Sequence, residues 1–272
     1  MLSRLSSNTP QQVMAFQKAD MKDLKRAKKL LEKPGVSARI LNTLGNSIKI
    51  VFKIFPDRVN ASIGKMTQNA LSKTVHAAVL TMKDGPCEES SNIWHKCAVA
   101  ATGGFCGFFG LPTLFVELPI STTIMMRSIA DVARSEGESI NTIDAKIACV
   151  EVFALGGPKK SDDASESGYF AMRAALAQSV SKASQYIAEK GLAKESAPAL
   201  VRFIMQIADR FSIRISTKVA AQAVPTIGAV GGALINMMFI THYQNIARGH
   251  FIIRRLERKY GREAVRVAYK DI

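Results

Sequence analysis

The chain has 272 residues, 47% of them hydrophobic, and its 37 Lys and Arg outnumber 22 Asp and Glu to give a formal net charge of +15. That length suits one large domain or two small ones with a sizeable core, and the positive excess points to polyanionic partners, either nucleic acid or an anionic membrane surface. The four cysteines, Cys87, Cys97, Cys106 and Cys149, show no C-x-x-C spacing and three lie in apolar surroundings, which argues against a disulfide frame and for reduced thiols.

Mean hydropathy is +0.07, at the boundary between soluble and membrane-associated chains. The opening "MLSRLSSNTPQQ" has no continuous apolar run and no A-x-A-like site, so no secretory signal is expected. Residues 10–33 read as a basic amphipathic helix. Met14, Met21, Leu24 and Leu31 share a stripe, and Lys18, Lys22, Lys25, Arg26, Lys28 and Lys29 surround it. "EKPG" stops it. Helices follow at 38–55 and 59–82, and then a polar turn region, "KDGPCEESSN".

Residues 97–116 carry no charge. A helix is predicted at 119–135, with an Arg127/Asp131 pair at i,i+4 spacing, and another at 142–155, carrying Glu151. "GGPKKSDDASESG" (156–168) reads as the clearest loop. Helices follow at 169–190 and 196–213. Residues 219–242 are again free of formal charge, and 245–270 form an amphipathic, strongly basic end. Phe239, Ile246, Ile253 and Tyr260 recur every seven residues, a stripe that packs on a neighbouring helix. No β alternation occurs. The expectation is an all-α fold, a compact multi-helix domain with two glycine-rich apolar central helices. A basic amphipathic N-terminal helix (1–35) precedes a helical domain (36–272) with 156–168 as an internal loop.

The segments 97–116 and 219–241 are each long enough to span a bilayer. Gly103/Gly107 and Gly228/Gly232 form small-xxx-small pairs that let helix backbones approach closely. Against spanning stand Gly110, Pro112 and Pro119, and the polar Glu117, Asn236 and His242. Three placements stay open: a core on a membrane surface, a hairpin or re-entrant pair, or a protein with no membrane role.

Three phrases carry a resemblance: "ELPISTTIMMRSIADVARSEGE", "CVEVFALGGP" and "AVPTIGAVGGALINMMFITHYQNIARGHFIIRRLERKYG". Together they resemble the EcsC protein family, over roughly residues 25–270. The last is the most specific, with Pro225, Gly228, Gly232, Asn236, Phe239, His242, Gln244, His250, Phe251, Arg254, Arg255, Leu256, Glu257, Arg258 and Gly261 in the family's pattern. The family is helical and named after a bacterial protein encoded beside an ATP-binding cassette (ABC) transporter pair. The resemblance implies a bacterial, membrane-linked protein and brings no catalytic residues.

Glu117, Arg127 and Glu151 in the first part, and Asn236, His242 and Gln244 in the second, are candidates for one polar cluster where the parts meet. Glu117 or Glu151 would pair with Arg127 or Arg254, with His242 hydrogen-bonded nearby, and the cluster would bind a polar head group, relay a proton or simply fix helix register. Lys22, Lys25, Arg26, Lys28, Lys29, Arg248, Arg254, Arg255 and Arg258 are candidates for lipid or phosphate binding. Glu257 is expected to pair with Arg254 at i−3. The spacing of the four histidines matches no metal motif, no P-loop or G-x-S-x-G elbow occurs, and no cofactor is expected.

These observations point to an accessory protein rather than an enzyme. It is expected at the cytoplasmic face of the inner membrane, peripheral or partly inserted, with anionic lipid and, through the resemblance, an ABC transporter as partners. The alternatives are an enzyme on lipid or small polar substrates using the Glu/Arg/His cluster, and a helical nucleic-acid-binding protein, which the scarcity of aromatics among the basic residues disfavours.

Overall fold

The computed structural model describes residues 16–32, 40, 57–81, 114–155, 168–190, 198–222 and 228–272. They form eight helices and no strand: α1 (Lys18–Leu31), α2 (Asp57–Thr81), α3 (Leu114–Ser135), α4 (Ile143–Glu151), α5 (Gly168–Lys190), α6 (Pro198–Gln222), α7 (Gly228–Tyr260) and α8 (Arg262–Asp271). The fold is all-α, as the helical periodicity predicts. The expected helix at 38–55, most of 97–116 and the loop 156–167 lie outside the described residues.

The 33-residue α7 is the axis of the bundle, about 50 Å long at 1.5 Å per residue. Helix α3 lies beside it in parallel, shown by three cross-links in matching order: Asn236 to Glu117, Gln244 to Ser128 and Arg254 to Glu138. Helix α6 runs antiparallel, with Lys218 meeting Glu117 and Arg214 meeting Tyr243. Helix α1 is also antiparallel: Asp20 meets Lys259 near the end of α7, while Leu31 packs over Gly249. Helix α2 packs on α3 and α6, α5 on α6, and α4 bridges α3 and α5.

The predicted stripe on α7 is a core seam. Phe239, Ile246 and Ile253 are buried, and Tyr260 stacks on Phe16 with ring centroids 4.2 Å apart. Farther round the helix, Tyr243 meets Phe153 and Phe211. Two expectations need correction. The charge-free run 219–241 is not one element: Val219 to Gln222 end α6 and Gly228 opens α7, because antiparallel packing of the two requires a reversal between them. The basic end is also divided. Gly261 has φ +88°, a left-handed conformation that glycine adopts without a Cβ clash, and it turns α8 back onto α1 and α7.

Candidate functional site

Among the described residues, Glu117, Lys218 and Asn236 form the most buried charged group, where the start of α3, the end of α6 and the start of α7 converge. All three side chains are almost fully buried. Lys218 Nζ pairs with Glu117 Oε1, and Asn236 Nδ2 donates to the same oxygen at 2.9 Å. The ammonium also lies 5.8 Å from the centre of the Phe239 ring, within cation–π range. Glu117 Oε2 is buried without a hydrogen-bond partner among the described residues. An ion pair taken out of water recovers its desolvation cost only through close geometry and further hydrogen bonds, and here both come from three separate helices.

The six-residue cluster expected from the sequence does not assemble. Glu117 and Asn236 meet in a hydrogen bond. Parallel packing of α3 and α7 spreads the polar groups into levels: one turn-pair along, Gln244 Nε2 donates to Ser128 Oγ at 2.8 Å. His242 is buried with its ring edge-on to Tyr243, and Arg127 is exposed. The expected pairing of Glu117 with Arg127 or Arg254 is replaced by Lys218, and Asp131 pairs with Arg134. Lys218 had a sequence signal: it is the one charge between Arg214 and Arg248, as Glu117 is the one charge in 97–126. Two lone opposite charges in apolar runs are candidates for each other.

Glu151 stands apart, at the end of α4. Burial pushes its carboxyl up from the ordinary 4.5 to about 7, against the pull of Arg173 and Arg254. The folded state therefore holds this proton at pH values where the unfolded chain has lost it. The group contributes stability below about pH 4.5, and that contribution is lost as pH rises toward about 7. Urea unfolding should show wild type losing up to about 3 kcal/mol relative to Glu151→Gln across that window.

A second buried network joins α5 to α7. Arg173 holds Glu257 through two bonds of 2.7 and 2.9 Å and donates to the Tyr169 hydroxyl at 3.3 Å. That hydroxyl lies 2.9 Å from His250 Nδ1. Burial, reinforced by Arg173 and Arg254, holds His250 well below the usual histidine range, so its imidazole is neutral. Glu257 thus finds its partner on another helix rather than at i−3.

The charges at the far end of α7 are sorted by sign. Arg254 meets Glu138 at 2.9 Å and Asp144 at 2.6 Å. Arg255 meets Asp23 at 2.7 Å and Glu136 at 3.3 Å. Arg258 also pairs with Glu138, and Lys259 with Asp20 at 2.7 Å. The Lys259 and Tyr260 hydrogen bonds hold the Asp20 carboxyl below the usual range. Of the residues expected to bind phosphate, Arg254, Arg255 and Arg258 therefore face carboxylates. Lys28 donates to the Tyr269 carbonyl at 2.9 Å, and Arg248 is half-buried. Lys22, Lys25, Arg26 and Lys29 are exposed.

A recess lined by Val75, Ile147, Val150, Leu200 and Phe203 is apolar, with Lys146 the charged member of its lining. Among the described residues, no group of three His, Cys, Asp or Glu side chains is placed to hold a metal ion, and no helix is long and apolar enough to cross a membrane.

No curated protein and no solved structure matches the chain. The EcsC protein family does, over residues 18–256. That span takes in α1 and nearly all of α7, and with it the Glu117 pair, Tyr169, Arg173 and His250, and the ion pairs of α1 with Arg255. The chain belongs to the EcsC protein family.

Proposed function

We propose that the protein attaches peripherally to anionic membrane through the outward face of α1, and acts there as an accessory to a membrane assembly such as an ABC transporter. The observation that carries the attachment is the sorting of charge on α1. Its acids Asp20 and Asp23 turn inward to Lys259, Tyr260 and Arg255, while Lys18, Lys22, Lys25, Arg26 and Lys29 remain exposed. A helix of mixed charge in sequence thereby presents a cationic outer face, which anionic head groups attract at about 1 kcal/mol per basic residue. The accessory role rests on the family's being named after a bacterial protein encoded beside an ABC transporter pair, and the location proposed is the cytoplasmic side of a bacterial inner membrane.

Nucleic acid is the weaker reading because base stacking needs exposed rings. Tyr269 is buried, and Tyr260 is stacked on Phe16 and donates to Asp20.

Co-sedimentation with vesicles tests the attachment. At low salt the protein should bind phosphatidylglycerol-containing vesicles far better than pure phosphatidylcholine. Replacing Lys18, Lys22, Lys25 and Lys29 together with alanine should weaken that preference by about 100-fold or more, from about 1 kcal/mol per charge. Equal binding by the quadruple variant overturns the role of α1, and a salt-sensitive preference for RNA over anionic vesicles overturns the membrane reading.

A further inference from the structure

We propose that the face of α7 beneath α1 is itself a surface for anionic lipid, and that α1 covers it until a charged membrane displaces the helix. This rests on the membrane attachment proposed above. It adds a second surface for the same partner, and the contact that hides it.

On α7, Gly249, Ile252, Leu256 and Tyr260 follow one another at intervals of three and four and share one face. Gly249 meets Leu31 and Ala27, and Tyr260 meets Phe16 and Asp20, so this is the face that α1 covers. Ile252 and Leu256, between those contacts, are buried. Arg248, Arg255 and Lys259 run along one edge of the same face. An apolar strip with a row of cations beside it suits the boundary between acyl chains and head groups.

The inner side of α1 is the complement, an apolar strip with anions beside it. Leu24, Ala27 and Leu31 form the strip, all buried. Asp20 and Asp23 bring the anions. Asp20 Oδ2 accepts from Lys259 Nζ at 2.7 Å and from the Tyr260 hydroxyl at 2.6 Å. Asp23 Oδ2 accepts from Arg255 Nη2 at 2.7 Å. Anionic groups next to apolar ones are also what an anionic phospholipid offers. Phosphate takes the same charged hydrogen bonds from arginine and lysine as carboxylate does, so lipid and α1 compete for one surface.

The polar part of this contact is partly wet. The Arg255 side chain is 36% exposed, Lys259 41% and Asp23 32%. Ion pairs at such exposure contribute little, and a surface of fixed negative charge contests them. The apolar part is exchanged rather than lost, because Leu24, Ala27 and Leu31 can pass from α7 to the acyl boundary.

A membrane also acts in opposite senses on the two sides of α1. It attracts Lys18, Lys22, Lys25, Arg26 and Lys29 on the outside and repels Asp20 and Asp23 on the inside. The field that draws the helix in therefore works against its contacts with α7. Once α1 leaves, Lys259 has lost its carboxylate, while Arg255 keeps Glu136 at 3.3 Å. Lipid binds the uncovered state more tightly than the covered one, and so shifts the population toward it.

A disulfide across the contact tests the displacement. A Cβ at Gly249 would lie 2.7 Å from Leu31 Cγ, one bond from Leu31 Cβ, so Leu31→Cys with Gly249→Cys brings two thiols within disulfide reach. Peptide mapping confirms the bond. The same full-length protein, oxidised and reduced, is titrated with phosphatidylglycerol-containing vesicles at low salt. The oxidised form should bind about tenfold more weakly or worse, because basic residues of α7 are withheld from the head groups.

A second comparison reads the acids alone. Asp20→Asn with Asp23→Asn loosens the contact. Glu263→Gln with Asp271→Asn makes the same change in net charge at exposed positions of α8. The first pair should bind the vesicles about fivefold more tightly than the second, or better, for the one lysine it frees. Where the disulfide does not form, this comparison decides alone.

Equal binding by the oxidised and reduced protein overturns the proposal, and so does equal binding by the two neutralised pairs. If the quadruple lysine variant still binds poorly in that case, attachment through the outer face stands, with α1 docked. No preference of wild type for anionic vesicles sinks both.

Discussion

Lys218→Met is expected to destabilise the protein by about 3–5 kcal/mol, because it strands a buried carboxylate. Glu117 has its Oε1 shared between Lys218 and Asn236, while Oε2 has no hydrogen-bond partner among the described residues. Methionine keeps the length and the apolar stem of lysine, so little packing is lost, and the penalty falls on charge. Adding Glu117→Gln should restore most of the stability, because the neutral amide retains an acceptor for Asn236. The double variant should end within about 2 kcal/mol of wild type, since buried ion pairs are commonly replaceable by neutral groups of similar shape. Urea unfolding of the four proteins closes the double-mutant cycle. Additive losses would mean that Glu117 and Lys218 do not interact.

Gly249→Leu is expected to detach α1 from α7. A Cβ at Gly249 would lie 2.7 Å from Leu31 Cγ and 3.2 Å from the Ala27 carbonyl oxygen. Leu31 can rotate its side chain away, but the carbonyl belongs to the helix itself, so any larger side chain pushes α1 off as a unit. Overpacking of this kind typically costs about 1–3 kcal/mol, which here is concentrated on one contact. Gly249→Ala should be milder, since alanine recovers about 1 kcal/mol of helix propensity against a smaller clash. Trypsin reports the result: the lysines of α1 should be cut much faster in Gly249→Leu, while sites in α7 stay protected. Release also uncovers the stripe of Leu24, Ala27 and Leu31, now buried. A free helix with that stripe and an outer row of lysines is an interfacial anchor, so vesicle binding should rise in the same variant. Unchanged proteolysis would show that α1 is held elsewhere, through Asp20 and Asp23.

These two variants mark where reading the chain succeeds and where it stops. The helices beginning at Asp57 and Gly168 follow from spacing, because a helical stripe is set by residues three and four apart and needs no partner to be recognised. The stripe of Phe239, Ile246, Ile253 and Tyr260 was legible for the same reason. So was the family, from phrases of neighbouring residues. Helix ends were less so: α6 continues to Gln222 where its pattern reads as ending at 213, because packing on α7 and burial of Lys218 hold the last turns in place.

Pairing was not legible. Glu257 has a local candidate in Arg254, yet takes Arg173 from α5. Glu117 takes Lys218, 101 residues away, rather than Arg127 on its own helix. Arg254, Arg255 and Arg258 look like an open basic face in sequence, and become the inner side of an ion-pair layer once α1 and the α3–α4 turn are laid against them. By itself, the sequence determined that the chain is helical, basic and of the EcsC family, because periodicity, charge and motif are properties of neighbouring residues. Only the tertiary structure decided which charges face inward and which remain outside, because the partner of a charge is whichever opposite charge the packing of distant helices brings within reach.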